Sequence, residues 1–545
     1  MSTTTSTGPS LAPEGAIWRP SHNPWAIAMT VTLATFMEVL DTSIATVALP
    51  HIAGGLGASQ DEATWVLTSY LVSNAIILPA SAYLTTFIGR KKFYMICVVI
   101  FGISSMLCGL APSLPMLILF RVLQGAGGGG LQPSSQAILA DTFPPAKRGQ
   151  AFAMYGMAVV LAPAIGPTLG GWITDNYTWR WIFFINIPVA LLSLFLTPRL
   201  VEDPPHLTRQ VKENRKKALS LDYIGFGLLA LGFGSLQFVA DKGQEDDWFG
   251  SRIITFFLIL CVVSLVTLVF YELWEIRKKR RPILDLTLFH SRTFSVSFGL
   301  MFLLGFILYA TTVLIPQYVQ TMMGYTAEQA GLVISPGGVT ILLLMPLVGY
   351  LISRVDPRYM IMYGFAVTSA ALALMHTLDL QVSYAYVAML RVIQASGLAF
   401  LFVPINTISY TDVPHEKNND VSGLVNLARN IGGSIGTSFL TTELARRAQF
   451  HQDRIVMHMA AQDPSFATQV KALQGYFQGP GGLTSSSAQA HYLALAGIYR
   501  QVVQQATLLS YLDVVAVLSV GSMMLVPVVL LMKKGTHGGR DIVAH

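Results

Sequence analysis

Long apolar runs recur along this chain with little between them. About fourteen stretches have the roughly 20 mainly apolar residues that a membrane-spanning helix requires. They lie at approximately 25–49, 62–84, 93–111, 115–140, 149–173, 181–198, 221–240, 253–274, 294–319, 327–352, 359–378, 382–410, 419–441 and 507–531. Only 12% of the 545 residues are charged, against about a quarter in soluble proteins. That balance excludes a soluble multidomain enzyme, a coiled coil and a disordered chain, and it predicts an all-α membrane protein. Cys97, Cys108 and Cys261 all fall inside apolar runs, so no disulfide framework is expected. Residues 1–24 are polar and carry no basic-then-apolar signal peptide, which predicts a cytoplasmic amino-terminal tail.

Basic residues set the orientation. With the amino terminus inside, about 24 of the 35 Lys and Arg fall on cytoplasmic segments, concentrated at Gly89–Lys92, Arg209–Lys217 and Arg277–Arg281. An even number of spans returns Lys533 and Lys534 to the same side. The positive charge follows a membrane face, so it points to lipid headgroups and away from nucleic acid.

The chain also contains a duplication. "FRVLQGAG" (120–127) aligns with "LRVIQASG" (390–397), "AIGPTLG" (164–170) with "SIGTSFL" (434–440), and "TFPPAKR" (142–148) with "DVPHEKN" (412–418), all at an offset of 270. "ATVALP" (45–50) resembles "TTVLIP" (311–316) at an offset of 266. Repeats of this kind are common in secondary transporters. Two six-helix halves separated by two extra helices fit the spacing.

Five motifs make the likeness specific: "LDTSIATVALP" (40–50), "RVLQGAGGGGLQP" (121–133), "APAIGPTLGGWI" (162–173), "NYTWRWIFFINIP" (176–188) and "LDLTLFHSRTF" (284–294). Together they resemble the major facilitator superfamily, and within it the fourteen-span drug:proton antiporters of the EmrB/QacA type. The resemblance implies a major facilitator fold of 6+2+6 helices. The expected layout is a cytoplasmic tail at 1–24, a first bundle at 25–198, basic linkers with two extra helices at 199–293, a second bundle at 294–441 and 507–532, and a cytoplasmic tail at 533–545. It also implies export of amphiphilic drugs in exchange for protons across a bacterial inner membrane. Two departures stand out: Thr46 replaces the usual Asn, and "AYLTTFIGRKK" (82–92) lacks the acid the family carries near Thr86.

Ionisable groups inside a bilayer are costly, which makes each a functional candidate. Glu38 and Asp41 share one face of the first span. Asp41 lies roughly 13 Å and Arg121 roughly 9 Å below the outer surface at helical rise. Asp41 is expected either to form a fixed ion pair with Arg121 or, the favoured reading, to carry a proton whose affinity Arg121 tunes. Desolvation and a guanidinium act in opposite directions on a buried carboxyl. Glu38 is a second proton site, a counter-charge for cationic drugs, or a neutral, hydrogen-bonded packing residue. Arg391 occupies the repeat position of Arg121, while the position matching Asp41 is near Ile307, so the coupling machinery is expected in the first half. Arg429 and Asn430 would add a polar wall in the second.

"GAGGGG" (125–130) satisfies the spacing of a dinucleotide fingerprint, but it lies inside an apolar helix rather than a strand–turn–helix unit. Its glycines suit close helix approach. No phosphate-binding loop of the G-x-x-x-x-G-K-[ST] type occurs, so energy is expected from an ion gradient, with no cofactor. Gly166, Pro167, Gly170 and Gly171 fall in the segment that the resemblance identifies as the antiporter seal, expected to pack against the second half. Asn74, Gln124, Met154, Tyr155, Tyr309, Gln317, Asn406 and Asn426 are the candidate cavity residues, chosen for polarity or softness within apolar helices.

Residues 442–506 form the one sizeable extramembrane segment. His451, Asp453 and His458 lack metal-ligand spacing and are read as a solvated face. In Gram-negative relatives this segment resembles the part that meets a periplasmic adaptor leading to an outer-membrane channel. The alternative functions are a dedicated exporter of one metabolite class, such as fatty acids or siderophores, a membrane-embedded transferase, and a passive channel. The inner loops offer no catalytic constellation for the transferase, and the repeat favours alternating access over a channel.

Overall fold

The structure, a computed structural model, describes residues 20–216, 222–278, 280, 282–457, 459, 464–478 and 486–533. Most of the two expected tails, with Lys534, lies outside the described residues, as do Lys217, Arg281 and His458. Among the described residues the elements are helical. They are α1 Pro24–Leu56, α2 Gln60–Ile88, α3 Arg90–Leu110, α4 Leu114–Thr142, α5 Pro145–Asn176, α6 Trp181–Phe184, α7 Asn186–Leu200, α8 Pro205–Lys216, α9 Tyr223–Lys242, α10 Arg252–Arg277, α11 Arg292–Met323, α12 Ala327–Leu351, α13 Pro357–Met375, α14 Tyr384–Ser409, α15 Asn418–Met457, α16 Pro464–Gln478 and α17 Ser487–Val528.

The duplication is visible in how the helices start and stop. α1 ends on Gly57 at φ +64°, and Ser59 then opens α2 with a capping box closed by Glu62. α11 ends on Gly324 at φ +69°, and Thr326 opens α12 with a capping box closed by Gln329. Glycine supplies the left-handed turn, and the reciprocal side-chain bonds satisfy the first amides of the next helix. Packing repeats too. α1 packs on α5, and α4 on α2 and α3; in the second half α11 packs on α15, and α14 on α12 and α13. The halves meet where α5 lies along α12 and where α2 and α4 lie against α15.

The extra pair, α9 and α10, docks on α2 through α9. Thr68 on α2 donates to Asp241 on α9. Ser434 on α15 donates to Gln237 on α9 at 2.7 Å, so this helix touches both halves.

Among the described residues, twelve helices are long and apolar enough to cross a membrane, or thirteen if the two arms of α5, bent by 43° between Pro163 and Ile165, count as one span. The expected span at 419–441 lies within α15, which does not pass that test. The reason is its surroundings. Asn418, Asn419, Asp420, Ser422, Asn426 and Arg429 are buried against other helices rather than facing outward, so this helix needs no apolar surface there. The expected span at 181–198 is found as one candidate span, Trp181–Leu200, formed by α6 and α7 with a one-residue irregularity at Ile185.

The described parts of the 442–506 segment are largely helical. α15 and α17 run through its two ends as unbroken helices of 40 and 42 residues, about 60 Å each at 1.5 Å per residue, twice a hydrocarbon core of roughly 30 Å. α16 packs on α17 through Val470, Ala494, Ile498 and Val502. His451 pairs with Asp513 on α17 at 2.9 Å.

Candidate coupling site

α1 carries both acidic side chains into the interior. Asp41 is 2% exposed, and its two oxygens accept from three side chains on two other helices. Arg121 Nη1 donates to Oδ2 at 2.6 Å. Gln124 Nε2 and Asn186 Nδ2 donate to Oδ1 at 2.9 and 2.6 Å. Arg121 is held in turn: its Nη1 reaches Gln124 Oε1 at 2.8 Å, its Nε donates to the Val66 carbonyl at 3.0 Å, and its guanidinium lies 4.3 Å from the Tyr70 ring centroid. The glycines of α4 allow this approach: a Cβ on Gly125 would meet the Tyr70 carbonyl oxygen.

Glu38, one helical turn away, lives in different company. Tyr70 and Asn74 donate to Oε1 at 3.1 and 3.2 Å, and Gln132 donates to Oε2 at 2.6 Å. All three donors are neutral. The carboxyl is 3% exposed, and among the described residues no cation lies within ion-pair distance of it. Gln132 also accepts from Arg429 Nη2 on α15. Glu38 in the first half is thus connected through one amide to an arginine in the second.

That link belongs to a polar seam between α4 and α15. Asn426 donates to Gln136 at 2.8 Å. At the end of the seam, Asn418 donates to Asp141 Oδ1 at 2.5 Å, and Asp141 is ion-paired with Arg90. Beside them Arg148 meets His415 at 3.0 Å. The family's missing acid near Thr86 has no replacement on α2; the carboxylates facing this basic turn are Asp141, at the end of α4, and Asp203, which accepts from the Lys91 amide at 2.9 Å.

Pro167 cannot donate to the carbonyl of Pro163, its i−4 residue. Ser43 on α1 supplies a donor instead, at 3.4 Å. Gly166 and Gly170 face α1, where an added Cβ would meet Ser43 and Ile44; nothing lies within 4 Å of such a Cβ on Gly171. The expected packing of this segment on the second half is made by α5 along α12, but through other residues than these glycines. Thr168 meets α12 at Gly331, and further along α5 Ala153 meets Gly349 and Gly156 meets Met345. Helical phase explains the difference, since position 168 is about 200° from 166 around a helix of 3.6 residues per turn.

The remaining sequence candidates divide. Asn74 and Gln124 belong to the two carboxylate clusters. Tyr155 is buried and stacks on Phe402, with ring centroids 6.2 Å apart; Arg429 lies 5.7 Å from the same ring. Tyr309 lies over Gly433, and Met154 is half-buried against the core. Asn406 is buried but donates only to the Phe402 carbonyl of its own helix, at 3.0 Å. Asn430 is half-buried beside Arg429. Gln317 is exposed near the end of α11 and joins none of these groups. Arg391 donates to Gln394 at 2.7 Å, repeating the Arg121–Gln124 contact, while Ile307 fills the position of Asp41. Sequence reasoning missed Asn186, Gln132, Gln136 and Asp141. The first three are amides in apolar spans, a signal as visible as Asn74.

The match to the family model "Major Facilitator Superfamily" covers residues 31–437. The chain belongs to the major facilitator superfamily of membrane transporters. Within this superfamily it is similar to "Multidrug export protein EmrB" of Escherichia coli (strain K12), 37% identical over 460 residues, covering 84% of this chain and 88% of the relative. It is also similar to "Fatty acid resistance protein FarB" of Neisseria gonorrhoeae, 35% identical over 517 residues, covering 94% and 97%. Among solved structures, the proton:xylose symporter XylE shares the fold with a TM-score of 0.55 at 16% identity, over 77% of this chain and 88% of that one. The chain is thus an EmrB-like, multi-pass member of a transporter superfamily.

Proposed function

We propose that this protein exports amphiphilic toxic compounds across the bacterial inner membrane in exchange for protons, with Glu38 as the main proton carrier. The observation that carries the reading is the setting of Glu38: a buried carboxyl held only by neutral donors, one amide away from Arg429 in the opposite half. A carboxyl without a fixed counter-ion can change protonation without breaking an ion pair. Protonation removes an acceptor from Gln132, frees that amide to turn, and weakens its bond to Arg429. The α4–α15 seam then loosens on the face carrying Asp141 and Asn418. Asp41 is read as the fixed partner of Arg121 that holds α1, α4 and α7 in register.

Fourteen spans, including α15, place both termini and the basic loops in the cytoplasm, and the seam then closes the cytoplasmic side. The turn at Ser43, Pro163, Gly166 and Pro167 acts as the seal by fixing α5 on α1 while Thr168 meets α12. The projecting ends of α15 and α17, with α16, are the proposed contact for a periplasmic adaptor and outer-membrane channel. The names of the EmrB relatives support drug export. The near full-length match to FarB favours fatty-acid efflux as the second reading.

The test is export by the purified protein in proteoliposomes across a compound panel. Uptake driven by an imposed pH gradient and abolished by a protonophore is expected for several cationic dyes. Transport indifferent to the gradient, or channel-like currents, overturns the antiport reading; a response to fatty acids alone selects the second.

A further inference from the structure

The second half repeats the arginine–glutamine pair of the first without its carboxylate. In the first half, Arg121 and Gln124 divide the two oxygens of Asp41 between them, at 2.6 and 2.9 Å. Their repeat partners, Arg391 and Gln394, are 4% and 0% exposed and keep the contact that orients the pair, Arg391 Nη1 to Gln394 Oε1 at 2.7 Å. Asp41 is replaced by Ile307. Arg391 Nε and Gln394 Nε2 are buried without any hydrogen-bond acceptor, and among the described residues no carboxylate lies within ion-pair distance of Arg391.

We infer that Arg391 and Gln394 form a clamp for the carboxylate of an anionic amphiphile, the cargo supplying the group that Asp41 supplies in the first half. A guanidinium stays charged at any accessible pH, and a buried charge calls for an opposite partner. The tail chemistry follows from the neighbours. Arg391 is seven residues into α14, about 10 Å from its start, with Gly337 of α12 against its side chain. Leu332 and Val339 on α12 and Met389 on α14 are 45%, 53% and 47% exposed. These side chains lie on the far, outward faces of the two helices from Arg391. The clamp therefore sits at spanning depth behind an apolar surround, and a carboxylate that reaches it from the bilayer is carried on an apolar chain rather than being a small hydrophilic anion. The inference rests on the export reading only for treating the bound amphiphile as cargo.

Saturable binding of radiolabelled oleate to the full chain in phosphatidylcholine nanodiscs at pH 8 tests it, with oleyl alcohol as the uncharged analogue. R391Q is expected to weaken oleate by about tenfold or more, the loss of a charged hydrogen-bond donor, and to leave oleyl alcohol unchanged. R391K, which keeps the charge, is expected to fall between the two. I307D, which restores the carboxylate of the first half and leaves Arg391 in place, is expected to abolish oleate binding. Equal affinity for oleate and oleyl alcohol, or unchanged oleate binding in monodisperse R391Q and I307D, overturns the clamp. Displacement of oleate by phosphatidylglycerol in the nanodisc overturns the cargo assignment and makes a lipid phosphate the occupant. Ethidium export by the wild type under a pH gradient reads the export proposal separately, and its failure leaves an Arg391-dependent oleate site standing.

Discussion

Glu38 and Asp41 lie three residues apart on α1 in opposite electrostatic settings: Asp41 is ion-paired to Arg121 at 2.6 Å, whereas Glu38 accepts only from Tyr70, Asn74 and Gln132. The two carboxylates therefore have different jobs, and the same substitution in each should have different consequences.

Asp41→Asn leaves the fully buried Arg121 without its counter-charge. Breaking a buried pair from one side costs about 3–5 kcal/mol, so thermal unfolding in detergent should drop sharply. Glu38→Gln keeps the packing and one acceptor oxygen but turns an amide nitrogen toward a donor the carboxylate accepted from, a cost of about 1–3 kcal/mol, so it should melt closer to wild type than Asp41→Asn. If Asp41→Asn melts like wild type, the fixed-pair role is wrong.

Ser43 and Gly166 are coupled across the α1–α5 contact. Ser43→Ala leaves the Pro163 carbonyl without its donor, a loss of about 1 kcal/mol. Gly166→Leu, which forces a side chain into Ser43, should abolish export or raise proton leak. Adding Ser43→Gly to Gly166→Ala should recover part of the loss in a dye-efflux assay, since it removes the atoms the new methyl meets. No recovery would place the Gly166 effect elsewhere.

Asp141 joins Arg90 of the first half to Asn418 of the second. Asn418→Ala should loosen the seam beneath it, read as faster maleimide labelling of a cysteine introduced at Asn426. Cys97, Cys108 and Cys261 are buried, which keeps the background low. An unchanged labelling rate would show that this bond does not hold the seam.

Asp285 and Lys417 pair at 2.6 Å outside the spans, tying the segment before α11 to the turn before α15. Burial disfavours the ionised Asp285, but hydrogen bonds from Lys417 and Thr287 outweigh it and hold the carboxyl below its ordinary value of 3.8. A carboxyl lowered by folding stabilises the native state above its unfolded value, and that contribution is lost as pH falls through the folded one. Melting temperature should therefore fall below about pH 3.8 in wild type and fall less in Asp285→Asn; parallel curves would contradict this.

The sequence made some of this legible and hid the rest for identifiable reasons. Apolar runs were enough for an all-helical membrane protein, the resemblance carried by the five motifs implied the major facilitator fold, and helical rise placed Asp41 and Arg121 at similar depths. The stretch at 419–441 was read as an apolar span, yet α15, which contains it, is not among the helices apolar enough to cross a membrane, and burial of its polar residues against other helices was not visible in the sequence. Asn186 and Gln132 were passed over because a single amide in an apolar span does not reveal which carboxylate it faces; that depends on helix rotation. The same uncertainty hid that Gly166 and Gly170 face α1 while Thr168 faces α12. Gln317 fails in the other direction: its polarity suggested a cavity, and its place near the end of α11 exposes it.

Proton-coupled dye exchange by purified Glu38→Gln in proteoliposomes tests the central claim most directly. With a pH gradient imposed and dye and lumenal pH followed together, the variant is expected to fold, to bind dye, and to show neither gradient-driven dye movement nor dye-induced proton flux. Gradient-driven exchange at the wild-type rate and stoichiometry in Glu38→Gln would contradict the claim and return the proton to Asp41 or to another group.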